Sequence, residues 1–172
     1  IVLNNDLSSG REEILEDLEQ TVVPPAELGW WNRSKFNPFS HYQTLASELA
    51  GLIDLDAWHL APMILDCGQI DFMKREGEAC LQEKVGEMLA SIQAKYDELE
   101  IREKPFVVIK ADAGTYGMGV MMAQSAEDVT GLNRKQRTRM AASKAGRDIS
   151  RVLIQEGIYS FECLGSSGHV AE

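Results

Sequence analysis

The sequence has little of what disulfide, zinc or membrane chemistry requires. Among 172 residues only three are cysteine and three histidine. Cys67, Cys80 and Cys163 lack Cys-x-x-Cys spacing, and an odd count argues against a disulfide framework. Such usage implies a reducing cytoplasm. His41, His59 and His169 stand far apart, unlike the paired ligands of a zinc site. All six residues read as packing or surface. No apolar run approaches the ~20 residues that cross a bilayer, and no signal peptide opens the chain, so a membrane is not expected as a partner. Positive charge is scarce in the first part: residues 1–100 carry 7 Lys and Arg against 19 Asp and Glu, whereas residues 101–172 carry 10 against 8. With a net charge of −10, nucleic acid is a disfavoured partner. No repeat or low-complexity segment is visible, and 44% hydrophobic with 26% charged residues is ordinary globular composition.

What is present is a lysine that ends an apolar run and opens a glycine-rich stretch, Lys110-Ala-Asp-Ala-Gly-Thr-Tyr-Gly-Met-Gly-Val120. Pro105 precedes four β-prone residues, 106–109, which predict a buried strand with Lys110 at its end. Gly114, Gly117 and Gly119 allow positive φ and close backbone approach. Their N–H groups, with those of Thr115, Tyr116 and Met118, can converge on one anion. Val120-Met-Met-Ala123 resumes an extended pattern, and Ser125 with Asp128 has the spacing of a capping box that starts a helix. The stretch reads as a hairpin lid over a phosphate; an ordinary hairpin with a solvated lysine is the alternative.

The order of elements separates this pattern from other glycine-rich phosphate binders. A P-loop places its lysine after the glycines and a helix directly behind it; here Lys110 comes first and a strand follows. A dinucleotide fingerprint also needs its glycines to open a helix. Protein kinases put the glycine loop before the lysine and carry His-Arg-Asp and Asp-Phe-Gly, which are missing. The remaining arrangement is that of ATP-grasp enzymes.

A second segment, Arg151-Val-Leu-Ile-Gln-Glu-Gly-Ile-Tyr159, begins as an aliphatic strand and runs into polar residues and a glycine. By itself it could be a plain core strand leading to a turn. It also resembles the hinge strand of ATP-grasp proteins, and follows the glycine loop in the same order. That resemblance implies that Gln155, Glu156, Gly157 and Ile158 border the adenine, largely through main-chain groups, and that Glu162 holds the ribose.

The wording of several segments is narrower than the superfamily. Val-Ile-Lys-Ala-Asp-Ala-Gly-Thr-Tyr-Gly-Met-Gly-Val at 108–120, Gly-Leu-Asn-Arg-Lys-Gln-Arg at 131–137, Ile-Gln-Glu-Gly-Ile-Tyr at 154–159, Leu-Asn-Asn-Asp-Leu-Ser at 3–8 and Gly-Trp-Trp-Asn-Arg at 29–33 resemble the proteobacterial glutamate–cysteine ligases of ATP-grasp type, over nearly the whole chain. The resemblance implies an α/β (α+β) fold: residues 1–76 would belong to the domain before the grasp, and 77–172 to its first nucleotide-binding subdomain and hinge. It implies ATP and Mg²⁺ as cofactors, glutamate and cysteine as substrates, and Lys110 as the catalytic cation. The chain begins on Ile1 and stops at Glu172 as a piece of a longer protein would, and the resemblance implies that the Mg²⁺ ligands lie in a later subdomain, beyond Glu172. A carboxylate–amine ligase of other specificity and a noncatalytic nucleotide-binding module stay open as alternatives, and the sequence leaves the oligomeric state undetermined.

The remaining chain reads more coarsely. Residues 1–3 and 21–23 predict strands around an acidic helix capped by Ser8 or Ser9, with Ile14, Leu15 and Leu18 on one face. Ser40 and Gln43 form a capping box for a helix with Tyr42, Leu45, Ala46, Leu49, Leu52 and Ile53 as its apolar face. Residues 54–76 are mixed and hold the passage between domains. From 78 to 99, Leu81, Val85, Met88, Ile92, Tyr96 and Leu99 recur at helical spacing. The basic run 133–151, including Arg134 and Arg137, reads as a solvated helix face or as a complement to triphosphate. In the segment 29–39 the aromatics Trp30, Trp31, Phe36 and Phe39 read as core, while Arg33 and Lys35, with Asn5 and Asp6, are candidates for substrate carboxylates.

Overall fold

A computed structural model describes residues 1–8, 10–30, 33–113, 119–141 and 149–159, and the backbone of 163–164 and 169–170. The candidate loop residues Gly114, Thr115, Tyr116, Gly117 and Met118, and Glu162, lie outside the described residues.

Helix α1 (Phe36–Ile53) leads to a strand, β1 (Ile64–Gln69); α2 (Glu78–Glu98) then leads to β2 (Val107–Ala111) and β3 (Val120–Ala123). Two short helices, α3 (Glu127–Thr130) and α4 (Arg134–Ala141), precede β4 (Arg151–Glu156), and a two-stranded ribbon, β5 (Cys163–Leu164) with β6 (His169–Val170), follows. Four strands form one antiparallel sheet in the order β1-β4-β2-β3. The fold is mixed α/β.

The helical spacing of 78–99 is realised up to its last member: Leu99 follows the helix end at Glu98 and is exposed. Leu81, Val85, Met88, Ile92 and Tyr96 are buried in one cluster with Val107, Ile109, Ala111, Val152 and Ile154 of the sheet. Each fully buried aliphatic side chain contributes about 1.5–3 kcal/mol, so this layer is the main source of stability. Of the two expected capping boxes, the one at Ser125 forms on the acid's side, Asp128 Oδ2 accepting from Ser125 N at 3.0 Å, whereas Gln43 turns away from Ser40 and donates from Nε2 to Pro62 O; Asn133 and Gln136 exchange bonds across the start of α4.

Three expectations need correction. The acidic helix near residue 14 is only a 3-10 turn, Glu13–Leu15, with Ile14 81% exposed. Four acidic residues within 12–17 and a left-handed Asp17 leave too short a segment to propagate a helix; the flanking strands reduce to one parallel bridge, Val2 to Val23. Helix α1 starts at Phe36 rather than at Ser40, because Ser34 Oγ accepts from Asn37 N at 3.2 Å and Asp112 Oδ1 accepts from Phe36 N at 2.8 Å. Of its expected apolar face only Ala46 is buried, with Ala50 beside it; Tyr42, Leu45, Leu49, Leu52 and Ile53 are exposed. The mixed stretch 54–76 contains β1, so the sheet draws on residues from both sides of residue 76.

Residues opposite one another across a ladder share a face. Val107, Ile109 and Ala111 face α2, so Val108 and Lys110, with their partners Gln155, Leu153, Met122 and Val120, lie on the second face. Helix α1 packs against β1, leaving Val108, Lys110, Val120 and Gln155 half-buried and Met122 exposed on that face.

Candidate functional site

Lys110 occupies the last but one position of β2, on the second face of the sheet. Its Nζ donates to Gln155 Oε1 at 2.8 Å, a neutral acceptor from the neighbouring strand. Burial pushes the amine below the usual lysine range. A desolvated cation held by an amide is well placed to take an anionic ligand.

Lys35 enters from the start of α1. Its Nζ donates to Ala111 O at 2.6 Å and to Ala113 O at 3.3 Å, which places it against the carbonyl of the residue after Lys110. Burial lowers its affinity for a proton, Asp112 opposes that shift, and the Lys110 charge adds to it. Lys35 therefore lies within the electrostatic reach of Lys110, which its sequence position alone does not indicate. Arg33 is exposed, with its guanidinium 4.4 Å from the centre of the Trp30 ring.

Asn5 stands in a turn where its Oδ1 accepts from Leu7 N at 2.8 Å. Its neighbour Asp6 ties that turn to the aromatic segment, through Trp30 N donating to Asp6 O at 2.9 Å. The aromatics of that segment are not all core: Trp30 and Phe39 are exposed and Phe36 is half-buried. Trp31 lies outside the described residues, and the contact shown for Trp30 is the Arg33 guanidinium.

The hinge residues divide. Gln155 points to Lys110, whereas the adjacent Glu156 points to the α2 side and is 4% exposed. There its carboxylate accepts from Trp58 Nε1 at 2.8 Å and Met63 N at 2.9 Å, a satisfied buried acid. Gly157 N donates to Phe106 O at 2.8 Å, and a Cβ on Gly157 would fall 2.1 Å from the Phe106 ring. Ile158 is 65% exposed beyond it. At the other end of the lid sequence Gly119 has φ +64°, the left-handed conformation expected of a lid glycine, and its carbonyl accepts from Ala111 N at 2.8 Å.

Asp112 escaped the sequence reading although it organises this region. It is buried; Oδ1 accepts from Phe36 N at 2.8 Å and from Ser34 Oγ at 3.1 Å. The available signal was an acid one residue past a strand end, but its partner, a helix start 76 residues upstream, is invisible to local pattern. In the basic run, Arg134 is exposed, while Arg137 is half-buried with Nη1 donating to Leu132 O at 2.6 Å. Cys67 is buried and its thiol is pushed up to about 11, chiefly by burial, so it is unsuited to act as a nucleophile. Among the described residues no group of three or more His, Cys, Asp and Glu could hold a metal ion, and no helix is long and apolar enough to cross a membrane.

These features define a mixed α/β protein with two half-buried lysines brought together at the end of a sheet strand. The glutamate-cysteine ligase family model matches residues 1–172. A solved structure, "Crystal structure of Putative gamma-glutamylcysteine synthetase" from Methylobacillus flagellatus KT, is similar at 51% identity and a TM-score of 0.82, over 95% of this chain and 39% of that one. No curated protein matches. The chain belongs to the glutamate–cysteine ligase family, and it spans about two fifths of the length of that solved relative.

Proposed function

We propose that this chain works in an ATP-dependent ligase of ATP-grasp type that joins glutamate to cysteine, the first step of glutathione biosynthesis. The observation that carries the nucleotide part is Lys110: half-buried, held by Gln155, and one strand end away from the glycine stretch that rejoins the sheet at Gly119. The family match supports the amino-acid part.

In this reading the glutamate γ-carboxylate attacks the γ-phosphorus of ATP to give an acyl phosphate, and the cysteine amine displaces phosphate. Lys110 offsets the charge on the transferred group. Arg33 clamps a substrate carboxylate, and no side-chain nucleophile is needed. The described residues offer no ligand cluster for Mg²⁺, so no step is assigned to a metal through them. A reducing cytoplasm is the setting proposed.

The test is ADP release by the protein carrying this chain, with glutamate and cysteine as substrates. Lys110→Ala should raise KM for ATP by roughly 10- to 150-fold, the equivalent of losing ~1.5–3 kcal/mol of a charged hydrogen bond. Arg33→Ala should raise KM for glutamate more than for ATP. Wild-type kinetics in both variants would end this reading.

A further inference from the structure

The segment that carries Arg33 and the strand that carries Lys110 are fastened to each other residue by residue. Lys35 Nζ donates to the carbonyls of Ala111 and Ala113, and Lys35 N donates to Asp112 O at 2.9 Å. In return Asp112 Oδ1 accepts from Ser34 Oγ and Phe36 N, closing the start of α1. Asp112 is itself fixed in the sheet, its N–H donating to Arg151 O at 3.0 Å.

We infer that Lys35 and Asp112 form a latch that sets the distance between Arg33 and Lys110. The inference rests on the function proposed above, in which those two residues hold the carboxylate substrate and the phosphate donor. Phosphoryl transfer needs the attacking oxygen near the phosphorus and in line with the leaving group, and a misplacement of about 1 Å can cost ~100-fold in rate. Two clamps on separate segments meet that demand only if something fixes their separation. The latch does so through backbone carbonyls at one end and a helix start at the other.

This gives Lys35 a role different from the substrate contact that its charge suggests. Its amine is spent on two carbonyls and sits half-buried beneath the segment, while the exposed Arg33 keeps its guanidinium on the Trp30 ring. Asp112 supplies the nearby negative charge that favours the protonated amine. Lys35 and Asp112 are thus positioning residues, and Arg33 and Lys110 are the groups that meet ligand.

Kinetics of the protein carrying this chain test the latch, with Lys110→Ala and Arg33→Ala run alongside. Lys35→Met should lower kcat by ~10- to 100-fold, with KM for ATP and for glutamate within about twofold of wild type, because each clamp still binds its own ligand. Lys35→Gln, which keeps an N–H donor, should recover part of the loss. Asp112→Ala should match Lys35→Met, whereas Asp112→Asn keeps an acceptor at Oδ1 and should stay within a few-fold of wild type. Thermal melts accompany each variant; if Asp112→Ala does not fold, the Lys35 pair and Asp112→Asn carry the comparison. A rise in KM for glutamate at unchanged kcat in Lys35→Met would overturn the latch and make Lys35 a substrate ligand. Wild-type kinetics in Lys35→Met, or Asp112→Asn as damaged as Lys35→Met, would overturn it too. Failure of the Lys110 and Arg33 variants would instead remove the proposed function beneath it.

Discussion

Gly119→Ala puts one methyl group where the fold leaves no room, and its cost can be worked from the structure. At φ +64° an L-residue pays ~1–2 kcal/mol for the left-handed backbone. The new Cβ would stand 2.5 Å from Ile149 Cδ1 and 3.0 Å from Ala111 Cβ. Ile149 and Ala111 belong to the core cluster, so the clash adds an overpacking penalty of ~1–3 kcal/mol. The sum, about 2–5 kcal/mol, lowers the melting temperature by roughly 4–20 °C, given 2–4 °C per kcal/mol in a chain of this length. Gly119 stands at the base of the hairpin, packed against Ile149 and Ala111 of the core. Circular dichroism melts of the single variants and of Gly119→Ala with Ile149→Val provide the assay. Ile149→Val deletes the very atom that the new methyl meets, so the double variant should be more stable than the two single effects summed, by about 1 kcal/mol or more. Strict additivity would refute the packing account, and an unchanged melting temperature in Gly119→Ala would refute both parts.

Gly157→Ala should destabilise by ~1–3 kcal/mol because its Cβ would lie within 2.5 Å of three atoms of the buried Phe106 ring, and Phe106→Leu should relieve it; melts of the pair would expose an error if the effects simply add. Glu156→Gln turns an amide N–H toward one of two donors, Trp58 Nε1 or Met63 N, and should cost ~1–3 kcal/mol, part of it restored by Trp58→Phe; equal stability in chemical denaturation would contradict the buried network. Arg151, bonded to Asp66, together with the Gly68 N–H, holds the Asp66 carboxyl below the usual carboxylate range against the opposing effect of burial. Its contribution to stability is then fully present above the ordinary carboxylate pKa and lost as the pH falls through the lowered folded value. The stability gap between wild type and Asp66→Asn should shrink over that window in urea titrations, and a gap constant with pH would contradict the linkage.

How much of this was legible in sequence depended on whether an element is held by its own pattern or by a distant partner. Helix α2 is self-declaring, because Leu81, Val85, Met88, Ile92 and Tyr96 keep one face over 21 residues. Strands β2 and β4 are short aliphatic runs bounded by breakers, and both lie where expected. Strand β1 is not self-declaring. Asp66 interrupts its apolar run, and Gly68 at φ +79° sits in a bulge where the register with β4 shifts, so neither alternation nor a continuous run survives. The candidate site was legible at Lys110 and Gln155, both on strands. Lys35 was legible as a candidate cation but its contact with the strand end was not, and Asp112 was missed altogether, since their partners are backbone carbonyls and a helix start far along the chain.

Helix α1 carries the same lesson in the opposite sense. Tyr42, Leu45, Leu49, Leu52 and Ile53 fall within an arc of about 100° on a helix of 3.6 residues per turn, so the pattern is that of a buried face. Among the described residues nothing buries it, and Leu52 is 83% exposed. The contact that α1 does make uses the flank of the stripe, where Ala46 and Ala50 are small enough to bring the helix close to β1. That flank also fixes the direction of α1, so that its first turn meets Asp112 and its Lys35 meets the carbonyls after Lys110. The flank contact and the polar contacts at the helix start therefore agree on one orientation, with Lys35 on the carbonyls of Ala111 and Ala113 and Phe36 N on Asp112.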